Sequence, residues 1–390
     1  MFIIEEPYVS DLMLKTLEKN KFEVLDNEFV RNYTNKYDLN LIDEKTALKK
    51  YSGSKNGLKV YSNSENSIDW VIKNFPDSNI SDAIKIFKNK YEFRKLISSI
   101  YPDFFFCEYS LEELSNIDIT KIKKPFIIKP SVGFLSLGVY KVETDSDWEK
   151  VLKNLQQEAK SYSKIFPSNV VNSSSYIIEE IIKGKEYAVD AYYTQQGIPV
   201  VLNIFQHPFA DSDDVSDRLY LSSKNIIQNT MPKVKILIEK LGKLIDLKNF
   251  PMHIEIIEKE NGEIVPVEIN PMRFAGWCTT DLACFAYGIN MYEYFHDQSE
   301  PDWEKIFSQK GNEYYYFAMA ETPKDMKKDG SCSFDYEKLK KCFSNILEFR
   351  KIDYLKKPLF AILFGQTQDN KEIDKILKLK TCDFVKTHGV

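Results

Sequence analysis

Several things that would settle the class of this chain at once are missing from it. Its 390 residues include six cysteines (Cys107, Cys278, Cys284, Cys332, Cys342 and Cys382) with no CxxC pair and no regular spacing. That excludes a disulfide framework and a cysteine zinc site, and suits the reduced thiols of a cytoplasmic protein. No apolar run approaches the roughly 20 residues needed to cross a bilayer. The opening MFIIEEPYVS sets acidic residues directly after apolar ones and does not read as a signal peptide. Charge is abundant but balanced, 53 Lys and Arg against 58 Asp and Glu. Short basic runs such as Lys121-Ile122-Lys123-Lys124 read as solvated faces, so neither nucleic acid nor a membrane is the expected partner. Internal repeats and a targeting tail are also absent. The expectation is a soluble cytoplasmic protein.

What is present is a chain 43% hydrophobic and 14% aromatic, ample for one large or two to three smaller cores. Strand patterns over 2–5, 22–25 and 59–61 alternate with helical periodicity over 10–20 and 68–74, as in a parallel sheet. The first turn lacks GxGxxG, which argues against a dinucleotide site there. Ser81 is a plausible N-cap for one helix running to Ile97. From Pro125 the texture turns to strands: PFIIKP, 138–142, 176–182, 186–193 and 199–205. A helix over 145–159 interrupts them, and 160–175 is polar and serine-rich. Residues 207–230 read as a long polar loop, and 232–247 as an amphipathic helix. Further strands are expected over 314–320 and 358–364, with helices over 336–343 and 371–377 and connectors between.

The most informative stretch is HIEIIEKENGEIVPVEIN, residues 253–270. Asn261-Gly262 is the usual signal of a two-residue hairpin turn. Such a turn sets Glu255 opposite Glu268 and His253 opposite Asn270, all on one face. Met252, Ile254, Ile256, Val265, Val267 and Ile269 then form the core face. Directly opposed Cβ atoms lie roughly 4.5–5.5 Å apart, so two bare carboxylates there repel. Two carboxylates and an amide oxygen suit magnesium that also holds substrate phosphates. The alternative is a solvated face whose glutamates pair with lysines.

Other residues carry weaker signals. Lys129 ends an apolar strand before a loop with Gly133, Ser136 and Gly138, a plausible phosphate cradle. YIIEEIIKGKE, 176–186, couples an apolar strand to a short turn at Gly184; its backbone could meet a purine edge and Glu186 the ribose hydroxyls. Arg218 and Lys224, in the polar stretch, could meet a phosphate or a substrate carboxylate. Asp211, Asp213, Asp214 and Asp217 beside them read as solvated rather than as a second metal site.

The ordered set Lys90, Lys129, 179–186, Glu255, Glu268, Asn270 and Arg273 resembles the ATP-grasp superfamily, over roughly residues 85–290. The resemblance implies an α/β and α+β architecture. It comprises an N-terminal Rossmann-like pre-ATP-grasp domain (1–86), an ATP-grasp domain (87–300) with a mobile lid subdomain (about 115–180), and a C-terminal α+β subdomain (301–390). It implies ATP binding by Lys90, Lys129, Ser136, the hinge Glu179, Glu180, Ile181 and Ile182, and Glu186. Glu255, Glu268 and Asn270 would be ligands of magnesium, which manganese could replace. Arg273, Lys129 and His253 would serve catalysis, and Arg218, Arg273 and Trp277 substrate binding.

Asn89-Lys90 stands where the family has an Asp-Lys pair. Two departures put details in doubt: the loop after Lys129 carries bulky Phe134 and Leu135, and Arg273 falls three residues after Asn270 rather than the usual two. PMRFAGW after Asn270 looks most like the dipeptide-forming L-amino acid ligases. The implied activity is an ADP-forming carbon–nitrogen ligase joining a small carboxylate to an amine through an acyl phosphate, in a monomer or a homodimer. The alternatives are an ATP-grasp enzyme with another acceptor, carboxylase-type or a small-metabolite kinase, and a nucleotide-binding module without catalysis.

Overall fold

In the computed structural model, residues 1–51, 58–132, 138–165, 172–210 and 216–388 are described. A parallel sheet opens the chain, with strand order Asn40–Ile42, Glu23–Leu25, Phe2–Ile3, Tyr61–Ser62. The helix Asp11–Asn20 returns the chain between the first two strands. It is capped by Ser10, whose hydroxyl accepts from the Met13 N–H, and it buries Met13, Leu14 and Leu17. The strand Asn40–Ile42 and the helix Glu44–Tyr51 have too few apolar residues to be seen by periodicity.

The helix expected from Ser81 to Ile97 is two helices, Asn79–Lys88 and Lys90–Ile97. Asn89 lies between them with extended backbone, and its side chain accepts from the N–H groups of Tyr91 and Glu92. An asparagine in the capping conformation restarts the helix there, which sets Lys90 at the first turn of the second helix.

A second sheet has strand order Phe106–Ser110, Asn172–Glu180, Phe126–Val132, Tyr140–Val142, and the helix Asp145–Ile165 packs on it. It has its own core of Phe126, Ile128, Val142, Trp148, Leu155 and Ile178, separate from the main one. The main core joins the N-terminal sheet and its helices to an antiparallel sheet ordered Ile264–Pro271, Phe250–Glu258, Lys185–Tyr193, Pro199–His207, Leu219–Ser222, Tyr314–Glu321, Leu359–Thr367, Ile346–Lys351. Three of the strands after residue 301 thus continue this sheet. A further pair, Cys332–Phe334 with Val385–Thr387, lies outside it.

Two corrections concern the approach to the site. The stretch 207–230 is not one loop, because the strand Leu219–Ser222 and the helix Lys224–Leu244 both begin in it. Pro232 lies inside that helix, and since proline lacks the N–H a helix interior needs, the sequence reads as a helix starting there. The cysteines of the described residues are free thiols. Among the described residues no helix is long and apolar enough to cross a membrane.

Candidate functional site

The hairpin Phe250–Glu258 with Ile264–Pro271 pairs Glu255 with Glu268 and His253 with Asn270, as expected, but by a different route. Gly262 N–H donates to the Lys259 carbonyl at 2.8 Å and Lys259 N–H to the Glu263 carbonyl at 2.8 Å. The loop is therefore three residues long, with Gly262 at φ +82 in the left-handed position such loops need. That shifts the register by one. A bulge at Val267 then shifts it back, because Glu255 opposes Glu268 while Ile256 opposes Pro266. Between turn and bulge the faces are exchanged. Ile264 joins the main core, whereas Val265 is buried outside that cluster and Val267 is only half-buried.

Glu255 and Glu268 face each other at the centre of the site. The Asn270 amide donates to Glu255 Oε1 at 3.2 Å, and Lys90 Nζ lies 3.3 Å from Glu268 Oε2. Burial raises the Glu255 carboxyl well above the ordinary range, and Glu268 raises it further. Burial acts on Glu268 in the same direction, but the charges of Lys90, Lys88 and Lys129 together outweigh it and hold that carboxyl below the ordinary range. Lys90 in turn is lowered by burial and by the neighbouring Lys129 and Lys88, against the pull of Glu268. The alternative in which lysines neutralise both glutamates is thus met at Glu268. At Glu255 no lysine or arginine forms an ion pair among the described residues.

Two partly buried carboxylates short of one positive charge, beside an amide oxygen, fit a hard divalent cation such as magnesium. No group of three or more His, Cys, Asp and Glu able to hold a metal occurs among the described residues. The fit rests on two carboxylates and an amide.

His253 lies beside this pair, 5% exposed, and its Nδ1 is 2.7 Å from Asp190 Oδ1. The sheet sets the two directly opposite each other. Asp190 Oδ1 also accepts the Ala275 N–H at 2.8 Å, so one buried carboxylate orients the histidine and pins the segment after Asn270. A carboxylate at Nδ1 fixes the tautomer whose Nε2 accepts. In that segment Met272, Trp277 and Cys278 all have positive φ, which costs energy for residues other than glycine. Trp277 stacks on Tyr8 of the N-terminal sheet region at 6.0 Å.

Lys129 is 7% exposed, with its Nζ 2.6 Å from Glu179 Oε1. Its strand runs on to Val132 instead of ending at the lysine. Arg94 donates to Glu179 Oε2 at 2.6 Å and to the Pro266 carbonyl at 2.6 Å. Burial alone would raise Glu179, but the two cations bring it down to about 2. The Glu180 N–H donates to the Phe105 carbonyl at 3.1 Å. Ile181 and Ile182 lie beyond the strand end at Glu180 and lead to Gly184. A Cβ on Gly184 would come 2.1 Å from the Glu258 carbonyl, so only glycine allows this link to rest on the hairpin. Glu186 opposes His207 in register, and its charge bears on Glu255.

Arg273 reaches Glu65 of the N-terminal region, with its Nη2 3.0 Å from Oε1, and Lys88 Nζ meets the other oxygen of Glu65 at 2.5 Å. Here too burial would raise the carboxyl, and the two cations hold it at about 2.

Other expected residues are not brought here. Arg218 donates to the carbonyls of Leu377 at 2.6 Å and Leu379 at 3.4 Å. Those carbonyls end the helix Asn370–Leu377, a natural seat for a cation. Lys224 Nζ donates to the Phe307 carbonyl, just before another helix end. Ser136, Gly133, Asp211, Asp213 and Asp214 lie outside the described residues.

Arg94, Asp190 and Glu65 are the site residues that sequence reasoning missed. Asp190 had a signal, a lone acid inside the apolar run EYAVDAYY directly across from His253. Arg94 follows Lys90 by one helical turn. Glu65 had none, because its partners lie far along the chain.

Residues 122–281 match the family model described as "ATP-grasp domain". No curated protein matches the chain by sequence. Among solved structures it is similar to the L-amino acid ligase of Bacillus licheniformis, at 14% identity and TM-score 0.66, over 99% of this chain and 98% of that one. It is also similar to the biotin carboxylase–β,γ-ATP complex of Campylobacter jejuni, at 14% identity and TM-score 0.63, over 96% and 89%. The N5-carboxyaminoimidazole ribonucleotide synthetase of Thermotoga maritima matches at 13% identity and TM-score 0.62, over 99% and 98%. Residues 122–281 thus match an ATP-grasp domain, and the chain shares the fold of these solved structures along nearly its whole length.

Proposed function

We propose that this chain is an ATP-dependent, ADP-forming ligase that joins a small-molecule carboxylate to an amine through an acyl phosphate. The observation that carries the reading is the partly buried Glu255–Glu268 pair, one charge short of balance, with Lys90 on Glu268 and the charges of Lys88 and Lys129 bearing on it. In this reading Glu255, Glu268 and Asn270 hold magnesium. When bound, that ion neutralises charge on the β- and γ-phosphates.

Lys129 and Lys90 supply fixed positive charge to the nucleotide phosphates, Lys129 from its place on Glu179 and Lys90 from its place beside Glu268. Glu180 to Ile182 border the adenine, and Glu186 accepts from the ribose hydroxyls. Arg273 stands ready for the oxygens of the transferring phosphoryl group and of the acyl phosphate, where preorganised charge lowers the barrier most. His253, held by Asp190, presents Nε2 as an acceptor toward the amine that displaces phosphate. The sheet containing Phe126–Val132, with the helix Asp145–Ile165, acts as a lid that excludes water from a hydrolysable intermediate. The strained segment 272–278, with Trp277 against Tyr8, borders the organic substrates. The likeness to an L-amino acid ligase favours amino acids for these.

The test is release of ADP and phosphate from magnesium and ATP across pools of amino acids and small carboxylates, with wild type beside Glu268→Gln. Turnover that requires both a carboxylate and an amine, and vanishes in the variant, supports the ligase. Turnover with bicarbonate alone replaces it with a carboxylase-type reaction. ATP binding without turnover in any pool points to a binding module.

A further inference from the structure

His207 and Glu186 face each other across the pair Pro199–His207 and Lys185–Tyr193. His207 Nδ1 lies 2.9 Å from Glu186 Oε1, and its Nε2 lies 3.2 Å from the carbonyl oxygen of Ser216. A carbonyl oxygen only accepts, so Nε2 carries a hydrogen. Nδ1 faces a carboxylate oxygen, which when ionised also only accepts. Two acceptors on one ring require either an imidazolium or a protonated carboxyl. With ordinary values of about 6.5 for histidine and about 4.3 for glutamate, the ring takes the proton.

The surroundings fit a held cation. Tyr220 stacks on the ring at 4.4 Å and 13°, and Phe209 closes another side at 4.4 Å. The His207 side chain is 4% exposed, while that of Glu186 keeps 28%. A buried imidazolium beneath a partly exposed carboxylate fixes its rotamer and leaves its outer side accessible.

We propose that His207, as an imidazolium, is the positioning residue that sets Glu186 for a nucleotide ribose, so that nucleotide binding weakens when the ring loses its proton. The proposal rests on the assignment of Glu186 made above. Besides Glu186, the charged and titratable groups around the ring among the described residues are Asp217 and Tyr220, whose hydroxyl donates to Asp217 at 2.8 Å. Glu255 lies one strand further and repels Glu186, and Arg218 is turned away toward Leu377. Burial pulls the His207 pKa down, but Glu186, Asp217 and the Ser216 carbonyl carry it above the ordinary histidine value. The charged state is therefore full below that ordinary value and is lost as pH rises through the raised one.

Ring ¹⁵N NMR of the full chain, with His207 assigned by comparison with His207→Phe, reads the protonation directly. Two N–H signals at pH 6.5 are expected, and a single protonated nitrogen overturns the proposal without reliance on any variant's fold. Calorimetry with ATP, magnesium and the 2′,3′-dideoxy analogue then reads the consequence. Wild-type affinity for ATP should fall about tenfold as His207 deprotonates, the worth of a hydrogen bond to a charged group. His207→Phe, which keeps the ring stack but has no N–H, should bind at the weaker level throughout, and the analogue should show no pH step. A pH-independent wild type overturns the role of His207. Glu186→Gln binding ATP as tightly as wild type overturns the ribose assignment instead.

Discussion

Glu179 and Glu255 are glutamates in strands that border the site, the first buried and the second partly so, and their settings are opposite. Glu179 is held between Lys129 and Arg94, each 2.6 Å away, and is kept ionised far into acid. Glu255 has the Asn270 amide at 3.2 Å and another carboxylate across the hairpin, and it resists ionisation. A buried charge with two cations of its own is finished as structure. One that faces a like charge is completed only by something brought from outside. The contrast separates residues that build the site from residues that wait for a ligand.

The largest effect that can break this comparison is on turnover. Glu255→Gln should lower kcat by roughly a thousandfold, the several kcal/mol a positioned metal supplies. Without nucleotide it should unfold at a slightly higher temperature, since the change relieves about 1 kcal/mol of repulsion. Arg94→Met should do the reverse at Glu179. Leaving that carboxylate with one partner should cost about 3 kcal/mol, read as a lower midpoint in calorimetry.

Next in size is Asp190→Asn, which loosens the hold on His253. A roughly tenfold to hundredfold loss in kcat is expected, with ATP affinity by calorimetry unchanged. The acid limb of stability sharpens the contrast further. Glu179 and Glu65 ionise in the fold at about 2, below their unfolded value. Their stabilisation is therefore complete above pH 4.5 and lost as pH falls toward 2. Glu65→Gln should flatten part of that slope in a pH series of thermal melts. The smallest effect is at Arg218, whose charge meets a helix end. Arg218→Ala should cost about 0.5 kcal/mol and leave kcat as in wild type.

Much of the site was legible because hairpin pairing is local. Glu255 opposite Glu268 followed from alternation and a turn signal. Even so, two one-residue irregularities had to cancel for that pairing to hold, and the face assignment of Val265 and Val267 failed between them. Lys129 was legible from its place on a strand, and Lys90 only from the resemblance to the ATP-grasp superfamily. The break at Asn89 was not, since Asn79–Ile97 keeps helical composition across it. Residues whose partners lie far away in sequence, Arg94 with Glu179 and Glu65 with Arg273, left no periodic trace. Arg218 misled because a basic residue in a polar stretch looks alike whether it meets a substrate or a helix end. The parallel order of the first sheet was legible in outline, but the strand Asn40–Ile42 at its edge, three residues long, was too short to register.

The most direct test of the central claim is the thermal unfolding of wild type and Glu255→Gln, each with and without magnesium and ATP. The account predicts that wild type gains several degrees from the ligands, whereas the variant starts higher and gains far less. A variant that starts lower and is stabilised by magnesium and ATP as fully as wild type would contradict it.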